Sequence, residues 1–128
     1  MSNLNRCKMG NFKKLIVWVK AKELAVRIYN LTKIPSFSRD FGLKDQIQRA
    51  SVSISANIAE GDELGTEKQS IRHFYIAKGS SAELQTLLII ANEIGYIENK
   101  LTDELLNEAN VISIMLSKII KVRSGGQC

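Results

Sequence analysis

Apolar residues recur at helical spacing along four long segments of this chain. Between residues 11 and 33, Val17, Ala21, Leu24, Ala25, Ile28 and Leu31 fall on one side at 100° per residue, and Pro35 ends the run. The second segment has a short lead-in after Ser36 and a possible kink at Gly42. It runs to about Glu60 with Ala50, Ile54, Ala56, Ile58 and Ala59 as its small or aliphatic positions. The third starts at Thr66-Glu67-Lys68-Gln69, which reads as a capping box, and continues from 67 to 93, with Gly95 as its stop. The fourth is predicted to begin after Thr102, with Leu101 and Leu106 as a hydrophobic staple. It ends near Val122 and has a core face of Leu105, Ala109, Ile112, Leu116, Ile119 and Ile120. Strand signals are weak and the connections are short. The pattern therefore predicts an all-α fold, an antiparallel up-down-up-down four-helix bundle over residues 12–122, with flexible tails at 1–11 and 123–128.

The polar positions of the second helix do not scatter. Arg49, Ser53, Asn57 and Glu60 recur at steps of four, four and three, which lines them up along one side. On so apolar a helix this line is expected to be partly buried, and buried polar groups need partners. An antiparallel third helix, folded back near residue 65, sets Glu60 beside Arg72, Ser53 beside Gly79 and Ser80, and Arg49 beside Glu83. The line reads as a structural polar seam that fixes helix register; a polar ligand site is the other reading.

A second apolar line appears on the outer helices. Leu15, Val19 and Val26 point away from the core side of the first helix, and Val111, Ile114, Met115 and Val122 do so on the fourth. Two apolar stripes on one helix point to contact with another subunit. Leu15, Val19, Val26, Val111 and Met115 are the predicted oligomer interface, and a homo-oligomer is expected.

A chain of 128 residues with 45% hydrophobic content fits one domain with a core. It has no run of about 18 apolar residues, and the first eleven residues lack the apolar stretch of a signal peptide. A cytoplasmic location without membrane contact is expected, with Cys7 and Cys128 reduced at the two ends and Met9 a possible true start.

Charge then changes the picture. The net charge is +5, and residues 13–33 alone hold six bases against one acid, Glu23. Lys13, Lys20 and Arg27 fall every seven residues in one stripe, and Lys118, Lys121 and Arg123 return to the same end of the bundle. Lys13, Lys20, Arg27, Lys118 and Lys121 are the candidate phosphate contacts for RNA or DNA. An acidic cluster of Glu60, Asp62, Glu63 and Glu67 is expected at that end too, and the basic stripe has no interleaved aromatics for stacking. His73 is the lone histidine, no metal-ligand spacing or Gly-rich phosphate loop occurs, and Ser51, Ser53 and Ser55 have no base at hand. The expectation is a protein without catalytic residues, metal or cofactor. The alternative to nucleic-acid binding is a protein–protein adaptor.

Several runs together carry a resemblance: Val17-Trp18-Val19-Lys20-Ala21, Gln46-Ile-Gln-Arg-Ala50, Ser53-Ile-Ser-Ala-Asn-Ile-Ala-Glu-Gly61 and Ile76-Ala-Lys-Gly-Ser-Ser-Ala-Glu-Leu84. Over residues 12 to 120 the chain resembles the four-helix-bundle family encoded in intervening sequences of bacterial 23S ribosomal RNA genes, sometimes labelled S23. That family is in turn similar to the accessory variability determinant proteins of diversity-generating retroelements, which are basic, barrel-like homopentamers that bind nucleic acid. The resemblance implies a homopentamer with a nucleic-acid-facing surface. It marks Arg49, Ser53, Asn57, Glu60, Gly61, Gly79, Ser80 and Glu83 as signature positions. Asp40 and Lys44 depart from the family pattern, where Glu and a capping Thr or Ser are common; both weaken the lead-in to the second helix.

Overall fold

The computed structural model describes residues 11–64 and 66–125. A 3-10 turn, Phe12–Lys14, precedes five α-helices: α1 (Ile16–Leu31), α2 (Pro35–Ser38), α3 (Phe41–Glu63), α4 (Glu67–Glu93) and α5 (Asn99–Ser124). The four long helices form the bundle, each packed on its sequence neighbour, with α5 closing back on α1. The tail residues 1–10 and 126–128, and with them Cys7, Met9 and Cys128, lie outside the described residues.

The core follows the predicted stripes. Val17, Ala21, Leu24, Ala25, Ile28 and Leu31 are the buried residues of α1, and Leu105, Ala109, Ile112, Leu116 and Ile120 are buried on α5. All of these but Ala25 meet Ile47, Ile54 and Ile58 of α3 and Phe74, Leu84 and Leu88 of α4 in one continuous cluster.

The helix ends differ from the predicted ones for local reasons. Residues 11–15 do not continue α1, because Leu15 is extended (ψ 124°). Pro35 opens the short α2 at a first-turn position, where its missing N–H costs nothing. Gly42 does not kink the chain. Asp40 caps α3, its carboxylate accepting the Leu43 N–H at 3.1 Å and the Tyr96 hydroxyl at 3.0 Å, so this departure from the family pattern still makes a working cap. α3 runs on through Gly61, Asp62 and Glu63, which the sequence pattern places in a loop. Thr66 caps α4 through the Gln69 N–H, and Gly95 (φ 89°) turns the chain after it. α5 starts at Asn99, one turn earlier than expected. Thr102 lies inside the helix and bonds back to the Glu98 carbonyl at 2.8 Å.

Among the described residues no helix is long and apolar enough to cross a membrane, and no group of three His, Cys, Asp or Glu could hold a metal.

Candidate nucleic-acid interface

The polar seam between α3 and α4 forms in its middle and not at its ends. The Ser53 and Ser80 hydroxyls meet at 2.8 Å, and Asn57 donates to the Ser53 carbonyl at 2.9 Å. Asn57 Oδ1 accepts from His73 Nδ1 at 2.9 Å, which makes His73 a member of the seam. The predicted end pairs are absent among the described residues. Arg49 bonds Asp45 one turn back on its own helix, with the arginine side chain 80% exposed, and Glu83 lies exposed. Glu60 sits 3.8 Å from His73, and Arg72 is exposed to solvent. The seam is a short hydroxyl–amide–imidazole chain rather than a buried ionic one.

A buried ion pair exists elsewhere. Asp62, at the end of α3, is almost fully buried. It accepts from Arg123 at 3.2 Å and from the Asn11 N–H at 3.1 Å. Arg123 also lies over the Phe74 ring, at 4.9 Å from its centroid. This contact ties together the start of the described chain, the end of α3, α4 and the end of α5. Asp62 therefore offsets Arg123 and leaves the lysines at this end without it as a partner.

The predicted basic stripe on α1 is broken up. Arg27 is clamped by Glu108 and lies 3.5 Å from Glu104, both on α5. Lys20 lines a small cleft between α1 and α5 together with Glu23 and Glu108. Lys13 is exposed at the basic end. Lys118 and Lys121 are exposed as well, and they belong to a more continuous surface than the one predicted.

That surface is formed by α4 and α5. Residues 68–82 and 109–125 are packed side by side through Ser81, whose hydroxyl donates to the Ala109 carbonyl at 3.0 Å and accepts from Ser113 at 2.8 Å. The two stretches hold six bases (Lys68, Arg72, Lys78, Lys118, Lys121 and Arg123) and no acid. Along the same hairpin, residues 83–108 hold six acids and a single base, Lys100. The hairpin thus changes sign along its length. In the basic half, a groove of about 450 Å³ runs between the helices, lined by Tyr75, Lys78, Ser117 and Lys121. The readable signal was a pair of acid-free windows on helices that must be antiparallel neighbours. Pairing the bases of α5 with α1 rather than with α4 leaves Lys68, Arg72 and Lys78 out of it.

The predicted oligomer interface is largely absorbed by the bundle. Leu15 and Met115 pack against the core, and Val19 and Val111 are half-buried; Val26 alone of the five is exposed. Ile114 and Val122, on the second apolar line of α5, are exposed like Val26. Exposed aliphatics occur on the outer surfaces of α3 and α4, at Val52, Ile76, Ile89 and Ile90.

The comparisons agree with this architecture. A family model described as the 23S rRNA-intervening sequence protein matches residues 13–118. A crystal structure of a protein with unknown function from the S23 ribosomal protein family of Bacteroides thetaiotaomicron is similar at 31% identity and a TM-score of 0.78. The match covers 83% of this chain and 99% of that one. No curated protein matches. With the family model spanning most of the chain and the bundle shared with that structure, the chain belongs to the family of 23S rRNA-intervening sequence proteins.

Proposed function

We propose that the protein is a non-catalytic, oligomeric four-helix bundle that binds structured RNA or DNA through the basic half of the α4–α5 face. The observation that carries this reading is the acid-free pair of stretches at 68–82 and 109–125, with Lys68, Lys78, Lys118 and Lys121 exposed or half-exposed on them. Phosphate backbones attract such a surface and release counterions on binding, without reading base sequence. The acidic half of the same hairpin repels phosphate and so favours one end of the bundle. Arg27 and Lys20 contribute little, because carboxylates already face them. Several copies in one particle multiply the modest basic face of each. A homopentamer is the assembly that the family likeness favours, with the exposed aliphatics of α3 and α4 as its contact surface.

Light scattering with and without a structured RNA hairpin, at low and high salt, tests the reading. The expected result is a particle of several copies that gains mass with RNA at low salt and loses it at high salt. A monomer that ignores RNA at every salt concentration contradicts it. The same exposed aliphatics favour a second reading, a protein–protein adaptor. Partner binding that is indifferent to salt and lost on Ile76→Asp would select the adaptor.

A further inference from the structure

The groove in the basic half has an aromatic wall. Tyr75 is 57% exposed. Among the described residues its ring stacks on no other ring and its hydroxyl makes no hydrogen bond. The core does not need it, since the neighbouring Phe74 is the buried ring, packed beneath Arg123. Lys78 stands one turn along α4, and Lys121 faces it from α5. Neither forms an ion pair among the described residues. Ser117 and Ser124 add hydroxyls to the α5 wall, and Ile120 forms the floor.

Lysines alone suffice to hold the phosphates of a duplex. A solvent-facing phenol ring in a groove that also holds two lysines suits a different feature, a base whose face is free. Bases within a duplex are already stacked, so the free base must be bulged, looped or terminal. We infer that this groove takes one unpaired nucleotide of the bound nucleic acid. The base stacks on Tyr75, the flanking phosphates sit between Lys78 and Lys121, and the serine hydroxyls meet sugar or base-edge polar groups. The inference rests on the proposed nucleic-acid reading and deepens it from backbone attraction to recognition of a helix defect.

The test compares an RNA hairpin carrying a single bulged 2-aminopurine with the same hairpin fully paired, alongside the DNA version of each. Wild type is expected to bind the bulged forms more tightly and to quench the 2-aminopurine fluorescence. Tyr75→Leu is expected to lose about tenfold in affinity for the bulged forms, the scale of one base–aromatic stack. It should keep its binding to the paired hairpin and its thermal melt. Tyr75→Phe should restore the preference, because the ring and not the hydroxyl carries it. Equal preference in RNA and DNA supports recognition of base and phosphate alone; a stronger preference in RNA supports a role for the serine hydroxyls at the 2′-OH. Wild type that binds paired and bulged hairpins equally, or a Tyr75→Leu protein that keeps the preference, overturns the inference and leaves the basic-face reading standing. Wild type that binds no hairpin at low salt overturns both.

Discussion

Arg49 and Arg123 each sit beside a carboxylate, at 3.0 and 3.2 Å, yet the two pairs carry different weight. The Arg49–Asp45 pair lies in solvent one helical turn apart, and such pairs contribute about 0.3–0.5 kcal/mol. Arg49→Ala should therefore lower stability by less than about 0.5 kcal/mol. Asp62 is buried, so Arg123→Ala strands its charge and should cost about 3 kcal/mol. Chemical denaturation of the two variants checks the contrast, and equal losses would refute it. Tyr96 gives a residue-scale prediction in pH. Its hydrogen bond to the Asp40 carboxylate raises its pKa, and desolvation adds to this. A raised folded-state pKa contributes stability that is fully present below the ordinary phenol pKa and lost as pH rises through the folded one. Thermal melts across alkaline pH should show this loss in wild type, and Tyr96→Phe should remove that part of the pH dependence. At this scale the sequence was legible where side chains are short. Ser53 and Ser80 meet as register alone predicts. A long arginine takes whichever carboxylate lies nearest, and helical register does not specify that choice. The Asp62–Arg123 pair spans 61 residues and joins two segments whose composition reads as loop and tail.

At the scale of elements, the core stripe of α1 was readable position by position, because its six buried residues recur at helical period and face one core. The ends were not, since they depend on which side chain reaches a free backbone group: Asp40 caps where Lys44 could not, and Thr102 bonds backwards instead of capping. Two helical glycines separate packing from mere smallness. A Cβ on Gly61 would come within 2.8 Å of the Phe74 ring, which is itself fully buried. Gly61→Ala should destabilise by about 1–3 kcal/mol, as overpacked sites do. A Cβ on Gly79 would meet nothing within 4 Å, and its φ is negative, so Gly79→Ala should stabilise the fold by about 0.5–1 kcal/mol through helix propensity. Melting temperatures moving in opposite directions would support both statements. A loss of stability at Gly79 would mean that another surface packs there.

Over the whole molecule, the distribution of charge matters more than the net +5. The bundle class was legible from hydrophobic period and loop length. The candidate surface was only half legible: Lys118 and Lys121 lie on the proposed face, while Arg27 pairs with Glu104 and Glu108 of α5 and Lys20 shares a cleft with Glu23 and Glu108. Charges on different helices cancel or add only once the helices are placed, and one-dimensional counting cannot foresee that. In the proposed function the α4–α5 face, not α1, meets phosphate. The most direct test of this is the salt dependence of binding to a structured RNA hairpin by three proteins: wild type, Lys78→Ala/Lys118→Ala/Lys121→Ala, and Lys20→Ala/Arg27→Ala. Removing one phosphate-binding lysine should reduce the log–log salt slope by about one. The expected slope is flattened by about three for the α4–α5 variant and nearly unchanged for the α1 variant. A slope that flattens in the α1 variant alone, or in neither, would contradict the proposed function.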